Sequence, residues 1–155
     1  MELRRVGMDD IELIIKLRLD FLDIVTADIT AEQRDQIAAQ MRGYLPGNIA
    51  DGTFSGVVAE ENGEVMSTAY FVAADMPANT AFINGKTGTL INVLTYPQYR
   101  RRGIAAEVIS MIIDDARSSG ILCIDLAATS DGKPLYETLG FRESSSHTAM
   151  RLTLD

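Results

Sequence analysis

The feature that most narrows the possible folds is a strand, helix, strand pattern between Leu90 and Ala128. Residues Leu90 to Leu94 are mostly apolar, include β-branched Ile91 and Val93, and are followed by Pro97, which ends strand pairing. From Ile104 the period becomes helical. Ala105, Val108, Ile109, Ile112 and Ala116 fall on one face, while Glu107, Ser110, Asp114 and Arg117 line the other. Gly120 supplies a left-handed stop. Ile121 to Ala128 then reads as a nearly continuous apolar run, the pattern of a strand covered on both faces. Two strands joined through a helix form a right-handed crossover, so these two should be parallel neighbours.

The rest of the chain supplies the remaining layers. Leu3 to Val6 reads as a short first strand, after which Asp9 or Asp10 caps a helix. Ile11, Ile14, Ile15, Arg18, Leu19 and Leu22 share one face of that helix, and Leu13, Leu17, Phe21 and Ile24 widen it. Thr30-x-x-Gln33 is a capping box that opens a second helix, running to about Tyr44 and ended by Pro46-Gly47-Asn48. From Thr53 the period falls to two. Phe54 to Glu60 and Val65 to Ala74 form a hairpin across Asn62-Gly63. Met76 to Gly88 has loop chemistry and is either a cover for a binding site or a spacer. A short helix from Pro134 to Leu139 stops at Gly140, and Phe141 to Ser145 and Thr148 to Leu154 read as two closing antiparallel strands.

At 155 residues the chain is expected to form a single domain, residues 1–155. No apolar run reaches the ~18 residues of a membrane span, and acids follow the N-terminal segment where a signal peptide would have its apolar core. Cys123 is the only cysteine, which excludes an internal disulfide and agrees with a reducing, cytoplasmic compartment. Its apolar neighbours suit a buried small hydrophobe. His147, the only histidine, lies far along the chain from the features below, and no metal-ligand spacing is present.

The net charge is −8, yet Tyr96-Pro97-Gln98-Tyr99-Arg100-Arg101-Arg102-Gly103-Ile104-Ala105-Ala106 gathers three consecutive arginines at the turn between strand and helix. A helix starting near Arg101 leaves backbone N–H groups without partners in its first turn and adds roughly half a positive charge there. Gly103 allows close approach of an anion, and the arginines supply fork-shaped donors. One small basic turn on an acidic body gives no extended nucleic-acid footprint.

Arg100-x-x-Gly103-x-Ala105 resembles the acyl-coenzyme A signature of the GNAT superfamily of N-acetyltransferases. Leu135-Tyr136-Glu137-Thr138-Leu139-Gly140-Phe141 is similar to that family's later L-Y-x-x-x-G-F segment. The resemblance covers about residues 64 to 154. It implies an α/β fold with a mixed sheet of six to seven strands, about four helices, and two parallel strands splayed in the middle. Acetyl-CoA is the implied cosubstrate, with no metal, and a primary amine the acceptor. Its pyrophosphate would meet Arg100, Arg101, Arg102, Gly103, Ile104, Ala105 and Ala106, and its pantetheine arm would pair with main chain at Leu94 and Thr95. Thr129 and Ser130 stand where relatives contact the cofactor, although the usual asparagine is missing. An N–H near Leu94 would stabilise the oxyanion, and Tyr136 would protonate the leaving thiolate. No acid stands in Leu90 to Thr95 where many relatives place a glutamate base. Asn92 can only hydrogen-bond the acceptor or order a water, leaving a relay through Glu60 or Asp51. The partners implied are a small-molecule or protein amine, with no nucleic acid and no membrane, and a homodimer is an allowed assembly. Net −8 permits a cationic acceptor such as a polyamine, an aminoglycoside or a lysine side chain. A coenzyme A-binding sensor without turnover is the alternative reading.

Overall fold

Asn62 and Gly63 both have positive φ, 53° and 79°, the backbone that a two-residue turn needs to keep twisted strands in contact. They join β2 (Phe54–Glu61) to β3 (Glu64–Asp75), the centre of one mixed sheet in the computed structural model, which describes residues 1–144 and 146–155. β1 (Glu2–Arg5), β4 (Lys86–Thr95) and β5 (Cys123–Asp125) complete the order β1-β2-β3-β4-β5. Pairing is antiparallel except between β4 and β5, which are parallel as the crossover requires.

Side chains alternate across this sheet and both faces are buried. Val57, Ala59, Ala69 and Phe71 face α3 (Ile104–Ser118), with Val108, Ile109 and Ile112. Val58, Tyr70 and Phe54 face α1 (Ile11–Val25) and α2 (Ala31–Ala50), with Ile14, Leu17, Met41 and Leu45. The Tyr70 hydroxyl, fully buried, donates to the Ile14 carbonyl at 2.9 Å and so ties α1 to the sheet. Gly88 is required for close packing, because a Cβ there would lie 2.0 Å from Phe71 Cζ.

Several sequence expectations change. α2 continues through Pro46 to Ala50. Leu45 is completely buried and Asn48 Nδ2 donates to the Tyr44 carbonyl at 2.7 Å, so tertiary burial and a side-chain bond outweigh the missing N–H. The Thr30 capping box forms as expected, with bonds of 3.1 and 2.9 Å. Asp10 stands at the N-cap of α1 but does not cap it with its side chain; the carboxylate instead takes the Gly7 amide and both ends of Arg4.

β5 is not a central strand. It pairs over three residues at the sheet edge, and Leu122 is 52% exposed, because no described strand covers its far side. The sheet has five strands rather than six to seven: neither the described part of Phe141 to Ser145 nor Thr148 to Leu154 is a strand, and Ser145 lies outside the described residues. An edge of three residues offers too short a ladder to template more.

β4 begins at Lys86, so the preceding loop is shorter than the composition suggests. That loop is closed by Met76 N–H on the Gly85 carbonyl at 2.8 Å and pinned by Asn84 Nδ2 on the Gly120 carbonyl at 2.9 Å. It therefore sits at the start of β4, about 30 Å along the ten-residue strand from the arginine turn, and does not cover that turn.

Candidate active site

Parallel pairing of β4 with β5 involves only Thr87, Gly88 and Thr89. β5 ends at Asp125, opposite Thr89, so β4 from Leu90 to Thr95 has an open edge on that side among the described residues. The expected splayed pair in the middle of the sheet is instead a three-residue pairing at its edge. Successive carbonyls show which backbone groups face the opening. The Leu94 carbonyl accepts from Ser67 Oγ on β3 at 3.0 Å, whereas the Thr95 carbonyl accepts from Arg100 Nε at 3.0 Å. In a strand the N–H and C=O of one residue point the same way, so Leu94 faces β3 while Val93 and Thr95 face the open edge. Tyr96 N–H on the Met66 carbonyl at 3.1 Å keeps the same alternation.

A bulge lies beside this edge. Thr68 pairs with Leu94 and Tyr70 with Ile91, so Asn92 and Val93 together oppose Ala69. Asn92 takes φ +56°, a left-handed conformation that asparagine tolerates, and is 2% exposed. Its Oδ1 accepts from Arg18 Nη1 at 3.4 Å, and its Nδ2 is buried without a partner among the described residues.

The strand ends at a single 3-10 turn, Pro97–Tyr99, and α3 starts at Ile104 rather than near Arg101. Arg101 and Gly103 both have positive φ, 61° and 76°, which curls the backbone into a concave turn before the helix. A Cβ on Gly103 would meet no protein atom within 4 Å, so the space in front of α3 is empty of protein. Arg100, Arg101 and Arg102 are exposed and, among the described residues, in no ion pair. Arg100 braces the end of β4, and the Arg102 guanidinium stacks 5.9 Å from the Tyr99 ring centre. The N–H groups of Ile104, Ala105 and Ala106 are the helix's unsatisfied first turn. This concave, positive, protein-free cradle fits a pyrophosphate.

Tyr136 is on α4 (Lys133–Thr138), whose first turn is tied by Thr129: its Oγ1 accepts from the Gly132 N–H at 3.1 Å. Thr129 thus has a structural partner, and Ser130 is an exposed turn residue beside it. Tyr136 packs edge-on against Phe141, ring centres 6.0 Å apart, and burial pushes its phenol up from the ordinary value. The phenol therefore stays protonated at neutral pH. The hydroxyls of Tyr70, Tyr96 and Tyr99 are committed to Ile14, Asp20 and Glu64, whereas Tyr136 has no such bond among the described residues.

Two carboxylates expected as relay candidates are engaged elsewhere. Glu60 is held by Arg4 at 2.9 Å, and Asp51 is bonded to the Thr53 amide at 2.8 Å. Sequence reasoning missed a cluster on α1: Lys16 Nζ meets Asp20 at 2.7 Å, and the Tyr96 hydroxyl donates to the same carboxylate. Burial raises the Asp20 carboxyl, but the Lys16 and Tyr96 bonds together outweigh it and hold it below its usual value. Arg18 was visible as the one charged residue inside the apolar face of α1. Cys123 is half-buried and free, its thiol pushed up by burial and by Asp125, and His147 is exposed. Among the described residues no group of three or more His, Cys, Asp and Glu could hold a metal, and no helix is long and apolar enough to cross a membrane.

A concave basic turn beside the open edge of a mixed sheet with helices on both faces defines an α/β sandwich with a candidate anion site at the start of α3. The model of the family described as Acetyltransferase (GNAT) family matches residues 20–141, so the chain belongs to that family and is an N-acetyltransferase of the GNAT type. Its structure is similar to that of a predicted acetyltransferase with acetyl-CoA from Clostridium acetobutylicum, at 24% identity and TM-score 0.84 over 97% of this chain and 95% of that one. A GCN5-related N-acetyltransferase from Ralstonia eutropha JMP134 is similar at 25% identity and TM-score 0.82, over 97% of each chain. Glucosamine-6-phosphate N-acetyltransferase from Arabidopsis thaliana shares the fold at 18% identity and TM-score 0.67, over 99% and 100%. None of the curated proteins compared matches the chain.

Proposed function

We propose that this enzyme transfers the acetyl group of acetyl-CoA to a primary amine by direct attack. The observation that carries this reading is the open edge of β4 from Leu90 to Thr95, adjoining the concave turn at Arg101 to Ala106. The solved relative that carries acetyl-CoA supports the choice of cosubstrate. The pyrophosphate binds the first-turn N–H groups of α3 and the arginine side chains. The pantetheine amides pair with the free edge of β4 as a strand would.

The amine nitrogen attacks the thioester carbonyl, the C–S bond breaks, and an amide and a thiolate form. An edge-facing amide of β4, Val93 or Thr95, donates to the carbonyl oxygen as it gains charge. Tyr136 gives its proton to the departing sulfur. Asn92 has no basic group, so the ammonium loses its proton to water before attack. Rates should therefore climb with pH toward the pKa of the amine. Amine-dependent release of free thiol, above the hydrolysis background, tests the reading. Acetyl-CoA binding without such release for any amine would replace it with that of a coenzyme A sensor.

A further inference from the structure

Four basic side chains lie on α1 and α2, and three are neutralised within the helix pair. Lys16 meets Asp20 at 2.7 Å, Arg34 meets Asp23 at 2.5 Å, and Arg42 meets Glu12 at 2.8 Å. Arg18 is the fourth. It is half-buried, has no carboxylate partner among the described residues, and spends one weak bond, 3.4 Å long, on Asn92 Oδ1. A guanidinium carries five N–H donors, so most of its capacity is unused. Asn92 Nδ2 is a second donor without an acceptor among the described residues, buried at 2% exposure. The Asn92 amide oxygen holds one guanidinium nitrogen, and the other Arg18 donors are free for an incoming acceptor.

Space for that acceptor lies on the other side of Arg18. A cleft of about 570 Å³ between α1 and α2 is lined by Arg18, by Gln33, Gln36 and Gln40, and by apolar groups that include Leu22 and Met41. Arg18 is the only charged side chain among its lining residues. On a chain of net charge −8 this cleft is lined by one formal positive charge and no carboxylate.

We propose that Arg18 binds an anionic group, a carboxylate or a phosphate, carried by the amine acceptor itself, so that the substrates are acidic amines and not polyamines. This rests on the acetyl-transfer reading above and adds the chemical class of the acceptor. The guanidinium clamps the anion with paired donors, the glutamines bond the polar body of the molecule, and Asn92 links this clamp to the bulge beside the reacting edge of β4.

The test uses matched amines differing by one anionic group: ethanolamine against O-phosphoethanolamine, and leucinamide against leucine, with spermidine as the polycation. Binding to the coenzyme A-loaded protein is measured by calorimetry, and acetylation by thiol release. The anionic member of at least one pair should bind roughly 10- to 100-fold tighter than its neutral twin, the loss expected when a charge-assisted pair is removed. The pair that responds distinguishes carboxylate from phosphate. Arg18→Gln should abolish the preference without changing acetyl-CoA affinity, and Arg18→Lys should restore part of it. Equal binding within both pairs, no binding of any member, or a preference retained in Arg18→Gln overturns the proposal. Best turnover with spermidine also overturns it while leaving acetyl transfer intact. Failure of wild-type protein to bind acetyl-CoA would sink the acetyl-transfer reading, and the same amine titrations on the free protein would then decide the role of Arg18.

Discussion

Replacing Gly103 by alanine separates the two roles of the turn before α3. The residue has φ +76°, and an added Cβ would meet no protein atom within 4 Å. The free protein therefore suffers only the strain of a left-handed alanine, about 1–2 kcal/mol. For a chain of this length that lowers Tm by roughly 2–8 °C, well short of unfolding. Binding suffers more, because the methyl group stands in the space through which a phosphate oxygen would reach the N–H groups of Ile104 to Ala106. Losing two charge-assisted bonds of about 1.5–3 kcal/mol each removes about 3–6 kcal/mol, which is at least ~100-fold in Kd. Titration calorimetry of acetyl-CoA with wild type and Gly103→Ala, beside thermal melts of both, gives the two numbers independently. Arg101→Gly is the control: it relaxes a φ of +61° and removes one charge, so the melt should hold while the Kd weakens and loses part of its salt dependence. A Gly103→Ala variant with wild-type affinity refutes the cradle.

Tyr136→Phe should lower kcat by roughly 100-fold with acetyl-CoA affinity unchanged, because only the proton donor is lost. Burial raises the Tyr136 phenol, so loss of its proton should bend the wild-type rate downward only above the ordinary phenol value of about 10, and the variant should lack that basic limb; a full-rate variant would assign thiolate protonation to water. Gly88→Ala forces a methyl into the Phe71 ring at 2.0 Å, an overpacking cost of about 1–3 kcal/mol that Phe71→Leu should partly relieve in the double variant; additive melts for the two changes would contradict the contact.

Local chemistry in the sequence determined what local chemistry can determine. The Asn62-Gly63 turn, the Thr30 capping box and the apolar stripe of α3 each rest on interactions within a few residues, and each is present as read, whereas the arginine turn runs on to Gly103 before the helix begins. The crossover also sufficed to predict that β4 and β5 are parallel neighbours. Tertiary packing decided the rest. Pro46 did not end α2 because Leu45 is buried in the core, and the run from Ile121 to Ala128 forms only a short edge strand because no described strand lies beyond it. Which amides face the open edge of β4 follows from pairing with β3, set by a bulge that no local pattern announces. Above all, the meeting of Arg18 with Asn92, separated by 74 positions, exists only once α1 is laid across β4. An arginine inside an apolar stripe is visible in the sequence, but whether it has a partner depends on contacts between distant segments, and those are fixed by the packing of both helices on the sheet.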